Sequence, residues 1–288
     1  MTKTIAQRIA EELSVHANQV DAAIKLLDEG ATVPFIARYR KEATGALDDT
    51  QMRRLDERLR YLREMEERRQ TILNSINEQG KLTAELERDI LGADTKNRLE
   101  DLYLPYKPRR RSKALIAREA GLEPLADALL ADPTLDPDTL AAAYCNADAG
   151  IDDCKAALDG ARQILMERFA ENADLLANLR QFLVDNALLA SRLVEGKEGE
   201  GAKFRDYFEH TEALAKVPSH RALAMFRGRN EGVLALNLVM DAAEKAADTH
   251  PCEAMIAGHW RIEDRQRPAD QWLRETVRWT WRVKLLTH

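Results

Sequence analysis

The sequence predicts a mainly α, multi-helical protein: a helix-turn-helix-like N-terminal bundle, a long helical hairpin, and at most one or two short strands near the C-terminus. Three observations predict it. Ala, Leu, Glu and Arg dominate, while aromatics are only 6% of the chain and runs of Val, Ile, Thr and Tyr are few, a balance that favours helices over strands. Apolar residues recur at spacings of three, four and seven over long stretches, the period of a helix with one buried face. Capping residues open these stripes and glycines close them. At 288 residues with 45% hydrophobic side chains, there is enough apolar material to bury a real core.

The N-terminal elements come in quick succession. Ile5, Ile9 and Leu13 form a first stripe, and Val20, Ile24 and Leu27 a second that Gly30 closes. In ATVPFIARYRKEATGALDD, Thr32 is placed as a cap, Pro34 falls in the first turn where its missing N–H costs little, and Gly45 ends the unit. Three short helices with tight turns predict a small bundle of the helix-turn-helix kind. From Asp49 to about Gln79 a single long helix is predicted on Leu55, Leu59, Leu62, Met65, Ile72 and Ile76. Its surface charges mix both signs and read as a solvated face. Thr83 opens TAELERDIL in a capping-box pattern, so helices at 83–91 and 94–102 fold back over the long one as a hairpin.

Helical patterns resume at 113–120 and 122–131, followed by the Pro/Asp-rich break ADPTLDPDT. Two longer helices are then expected, one on Ala157, Ala161, Ile164, Leu165 and Phe169, the other on Leu175, Leu179, Phe182, Leu189 and Leu193. The glycine-rich, charged stretch 195–203 reads as a mobile loop. A short helix starts near Pro218 with Gly228 as its stop. Val233–Val239 is the one good strand pattern, and it needs a partner either at 256–262 or beyond the chain. The terminal helix carries Trp272, Leu273, Val277, Trp279, Trp281 and Leu285 with no stop signal, a liability on its own, which makes the chain read as a fragment. The expected division is 1–106, 107–200 and 201–288.

Several function classes are disfavoured. No apolar run approaches the ~20 residues needed to cross a bilayer, and the start is an amphipathic helix rather than a signal segment, so a cytoplasmic protein without a membrane partner is expected. Cys145, Cys154 and Cys252 are an odd number with no CxxC pair and read as core thiols; His250 and Cys252 offer two ligands with no second pair, so no metal or other cofactor is expected. No phosphate-cradling glycine loop or GxSxG turn is present. The six histidines lie apart from any nucleophile pattern, and no carboxylates gather on strands, so no catalytic residue is assigned and an enzyme is not expected.

Binding is better supported. Lys107, Arg109, Arg110, Arg111, Lys113 and Arg118 gather in EDLYLPYKPRRRSKALIARE with no acid among them until Glu119, and Tyr103 and Tyr106 stand just upstream, in a chain of net charge −6. Phosphates are attracted to such a cluster and tyrosine rings stack on unpaired bases. The competing reading is that the arginines clamp acidic helices through carboxylate pairs while the tyrosines anchor the linker. A second set, His220 and Arg221 with Arg227 and Arg229, surrounds the helix after Pro218, either as a phosphate site at its N-terminus or as ordinary charge near its ends.

VPFIARYRKEATGALDD, EDLYLPYKPRRRSKA and DYFEHTEALAKVPSHRALAMFRGRNEGVL, in that order, resemble successive signatures of the bacterial Tex family of transcription accessory proteins, a resemblance that runs from about residue 5 to 288. It implies a mostly helical N-terminal part that precedes an RNase H-like domain, a helix-hairpin-helix region and a C-terminal OB-fold that binds RNA. The implied function is a nucleic-acid-binding transcription factor that contacts RNA or DNA phosphates without sequence preference. The alternative is a helical scaffold that docks later domains or RNA polymerase and binds no nucleic acid itself.

Overall fold

The computed structural model of the chain describes residues 3–108, 111–240 and 249–286. These divide between two units, Met1–Lys107 and Pro108–His288.

The first unit opens with α1 (Ile5–Leu13), α2 (Ala17–Asp28) and α3 (Val33–Tyr39). Their stripes meet in one core where Ile9, Val20 and Ile36 are fully buried. Thr4 caps α1 in a reciprocal box with Gln7. Thr32 stands at the N-cap of α3 but makes no side-chain cap bond. Gly45 has φ +59°, a left-handed backbone that favours glycine, and a Cβ there would lie 2.7 Å from the Gln19 amide nitrogen that donates to its carbonyl.

The long helix is α4 (Asp49–Glu78), capped by a box between Asp48 and Gln51, and its 30 residues span roughly 45 Å. It packs on all three preceding helices, and on α5 (Ala84–Gly92) and α6 (Lys96–Tyr103) that return along it. The capping box expected at Thr83 is half present: its hydroxyl accepts from the Leu86 N–H, but a leucine at that position has no group to return the bond. Buried Arg69 closes the hairpin by donating to the carbonyls of Ile90 (3.2 Å) and Ala93 (2.9 Å) at the end of α5, with Glu66 on its remaining nitrogen. The mixed charges of α4 are largely consumed in pairs: Arg53 with Asp49, Arg58 with Glu12, Arg63 with Asp28, Arg68 with Glu100.

The second unit is built around α10 (Cys154–Ala170), on which α7 (Lys113–Glu119), α8 (Glu123–Ala131) and α9 (Pro137–Ala141) pack. Ala157, Ala161, Ile164, Leu165 and Phe169 of α10 are fully buried, and Phe169 stacks on Trp260 at 4.8 Å. Further on lie α11 (Ala173–Asn186), α12 (Ser219–Asn230), α13 (Pro251–His259) and α14 (Asp270–Trp279), the last running into a π-helical turn at Thr280–Leu285.

Three expectations are corrected here. The helix expected to carry Leu189 and Leu193 ends at Asn186, and Leu188–Leu193 is a strand, β1, central in an antiparallel sheet between β2 (Glu209–Ala213) and β3 (Leu234–Val239). Leucines ten and fourteen residues beyond Leu179 satisfy either period, and the pairing of Leu188 with both Ala213 and Val239 decides the matter. The predicted strand at 233–239 therefore finds its partner within the chain, and 256–262 instead holds the end of α13. The stretch 195–203 runs as a loop into a 3-10 turn at Ala202, with Gly201 N–H on the Lys197 carbonyl (2.9 Å) and a Lys197–Glu200 pair (2.8 Å). Gly228 is not a stop: it lies inside α12 because a Cβ would fall 2.5 Å from Leu234 of β3.

The apolar terminal helix is largely internal, with Trp272, Leu273, Val277, Trp281 and Leu285 buried in packing that joins α10, α13 and α14. Asp270, in the first turn of α14, accepts from the backbone N–H groups of Arg265 (2.8 Å) and Arg267 (2.9 Å) and from the Arg267 guanidinium. Burial alone would raise this carboxyl, but those donors outweigh it and hold it below the usual range. The three thiols are not all core: Cys252 is buried, whereas Cys145 is exposed and its sulfur lies 3.9 Å from that of half-buried Cys154. His250 caps α13 by accepting the Cys252 N–H (3.2 Å). Among the described residues no three potential metal ligands gather and no helix is long and apolar enough to cross a membrane.

Candidate nucleic-acid interface

The aromatic–basic run 103–118 straddles the division between the units at Lys107/Pro108. On the first unit, Tyr103 closes α6 with its ring only 6% exposed. Its hydroxyl bonds Ser75 (2.9 Å), and Arg68 lies over its face at 5.4 Å while its guanidinium forks onto Glu100 (2.6 and 3.0 Å). That hydrogen bond from Arg68 holds Glu100 below the ordinary carboxylate range, with Lys107 adding a weaker pull. A ring enclosed in this way has no free face, so the stacking role expected of Tyr103 is corrected to that of an anchor. Tyr106, half-buried in the short 3-10 segment Leu104–Tyr106, takes a bond from Gln79 on its backbone carbonyl (2.9 Å). Lys107 is exposed.

On the second unit, Ser112 caps α7 by accepting the Leu115 N–H and donates its own hydroxyl to Glu167 (3.0 Å). Arg118 puts Nη1 on the other oxygen of Glu167 (2.6 Å) and Nε near Glu123 (3.4 Å). Arg168 extends the chain of charges to Glu123 (3.5 Å) and Asp127 (2.7 Å). Burial alone would pull the Arg118 guanidinium down; its bond to Glu167 and the two carboxylate charges reverse this and raise it. Arg118 is thus a clamp between α7, α8 and α10, the carboxylate pairing that competes with a phosphate contact. Arg111 is exposed but pairs with Glu119 (2.5 Å). Lys113 is exposed at the first position of α7 with no ion pair among the described residues. Arg109 and Arg110 lie outside the described residues.

The second predicted set does not converge either. Arg221 donates to both oxygens of Glu212 on β2 (3.0 and 3.1 Å), and His210 reaches the same carboxylate (3.3 Å). Burial would raise Glu212, yet Arg221 and His210 hold it low, and Arg221 thereby ties β2 to α12. Arg227 pairs with Glu231 (2.9 Å), and Arg229 lies over the Phe226 ring at 5.3 Å. His220 remains exposed in the first turn of α12.

Comparison with known proteins bears on what such a chain is. A family model described as Tex-like protein N-terminal domain matches residues 3–77, and one described as Tex central region-like matches residues 132–288. The chain belongs to the Tex family. Similar relatives include Protein YhgF of Escherichia coli K12, 59% identical over 100% of this chain and 37% of its own length, and Protein tex of Bordetella pertussis, 58% identical over 98% of this chain and 36% of its own. More distant is the human S1 RNA-binding domain-containing protein 1, 28% identical over 93% of this chain and 27% of its own length. The chain thus spans little more than a third of the length of these bacterial relatives.

One feature of this Tex-family chain escaped the sequence reading. On α3, Phe35 is 46% and Tyr39 61% exposed, their ring centres 5.4 Å apart. Arg38 and Lys41 are exposed beside them and form no ion pair among the described residues, whereas Arg40 pairs with Glu42 (3.4 Å). The signal was present in FIARYRK, two aromatics four apart interleaved with cations and free of acids. The period of a short helix does not by itself separate these exposed positions from the buried Ile36 and Ala37 between them.

Proposed function

We propose that this chain is the N-terminal helical scaffold of a cytoplasmic transcription accessory factor, which touches RNA or DNA phosphates weakly and without sequence preference. The observation that carries this is the sorting of the basic run. Its described arginines serve acidic neighbours within the fold, while Lys107 and Lys113 stay exposed and form no ion pair among the described residues. Two lysines placed as point charges suit phosphate oxygens and carry no base-reading geometry. The RNA-binding domain in the name of the distant human relative adds support at the level of class. No catalytic residue is assigned.

The test is the salt dependence of binding to a labelled single strand. Lys107→Ala/Lys113→Ala should lower the log–log salt slope by about 1.4, the value for two phosphates of a single strand. An unchanged slope in a folded variant removes the assignment. A second reading, a docking scaffold for RNA polymerase or later domains, is favoured by Leu223, 69% exposed on α12 beside the exposed Phe226. Capture of purified, nuclease-treated polymerase that is lost in Leu223→Ser/Phe226→Ser and kept in the lysine variant would favour it.

A further inference from the structure

We infer that the outer face of α3 is a stacking site for an unpaired base of a single-stranded nucleic acid, with Arg38 and Lys41 receiving the flanking phosphates. This goes beyond the lysine contacts proposed above and rests on different side chains, all within the first unit.

The helix is held from behind. Ile36 and Ala37 are buried in the bundle core, so Phe35 and Tyr39, four residues apart, share the opposite side. Their rings are tilted by 46°, and Arg38 sits 6.0 Å from the Tyr39 centroid, at the limit of a cation–π contact. Phe35, Arg38, Tyr39, Lys41 and Asp49 line an open cavity of about 610 Å³, within the size range of small-ligand sites. Asp49 does not neutralise the cations, because Arg53 takes it at 2.7 Å.

The chemistry of the occupant follows from that combination. An apolar peptide would cover the rings but leave two cations uncompensated, and free phosphate would answer the cations but leave the rings wet. A single strand offers an aromatic face and a phosphate with each nucleotide, which matches both. A duplex hides its base faces in the stack and should be excluded. Nothing in rings and point charges reads a sugar, so RNA and DNA strands should bind alike.

The experiment uses the full 288-residue chain with a short single-stranded RNA carrying 2-aminopurine, the DNA of the same sequence, and the matching duplex. Base fluorescence should be quenched on binding either single strand, and the duplex should bind markedly more weakly. Phe35→Ala/Tyr39→Ala should abolish the quenching and weaken single-strand affinity about tenfold, with its thermal melt unchanged because both rings are exposed. Arg38→Ala/Lys41→Ala should lower the salt slope by about 1.4. Unchanged affinity in the folded aromatic variant, or equal binding of duplex and single strand, overturns the inference. So does capture of a purified acidic protein partner that depends on these four residues while single-strand binding does not. If the lysine variant moves the slope and the α3 variants do not, the phosphate contacts stand and the stacking site falls. An intact chain that binds neither single strand removes both.

Discussion

The run 107–118 and the face of α3 make opposite uses of similar residues. The first is dense in positive charge, yet Arg118 is held by Glu167 and Glu123 and Arg111 by Glu119. The second has fewer cations, but Arg38 and Lys41 stand outside any ion pair among the described residues, beside two exposed rings. A phosphate competing for Arg118 would have to displace a carboxylate already paid for by folding; at α3 it would displace only water. Charge density in the sequence therefore measures supply, and the ion-pair pattern measures what remains available to a ligand.

The sharpest way to break this contrast is Glu167→Ala. It removes the acceptor of both Ser112 and Arg118 and leaves a partly buried guanidinium without its closest partner, so the second unit should lose about 2–3 kcal/mol in a denaturant melt. No loss would mean the clamp is ornamental. The α3 aromatic pair should come next in size, with its tenfold loss of single-strand affinity and no change in melting. Arg111→Ala should be smaller still: its exposed pair with Glu119 is worth under about 1 kcal/mol, and single-strand affinity should stay within about twofold. Acidification should reveal a modest effect in the first unit. Arg68 depresses Glu100, so the stability of that pair is present above the ordinary carboxylate value of about 4.3 and is lost as pH falls through the lower folded value. Thermal melts across that window should fall less steeply in Glu100→Gln than in the parent. The smallest effect concerns the thiols: a maleimide should label Cys145 in the folded chain and reach Cys252 only on unfolding.

The helices were legible because each carries its own period: the stripe of α4 from Leu55 to Ile76 is a local fact. The sheet was legible only in β3. Leu188–Leu193 reads equally as the tail of α11 until its neighbours at 209–213 and 234–239 are known, and those lie up to about fifty residues away. Gly228 shows the same limit, since its role is set by Leu234 across a packing contact rather than by its neighbours in the chain. For the candidate site, residue types were legible and their partners were not. Arg118 and Lys113 look alike in sequence, and Glu167, which separates them, is 49 residues from Arg118.

The most direct measurement is the slope of single-strand affinity against salt for the intact chain, Arg111→Ala and Arg38→Ala/Lys41→Ala under the same conditions. The account predicts a slope shallower by about 1.4 in the α3 variant and no change in Arg111→Ala. A slope that falls in Arg111→Ala and holds in the α3 variant would contradict it.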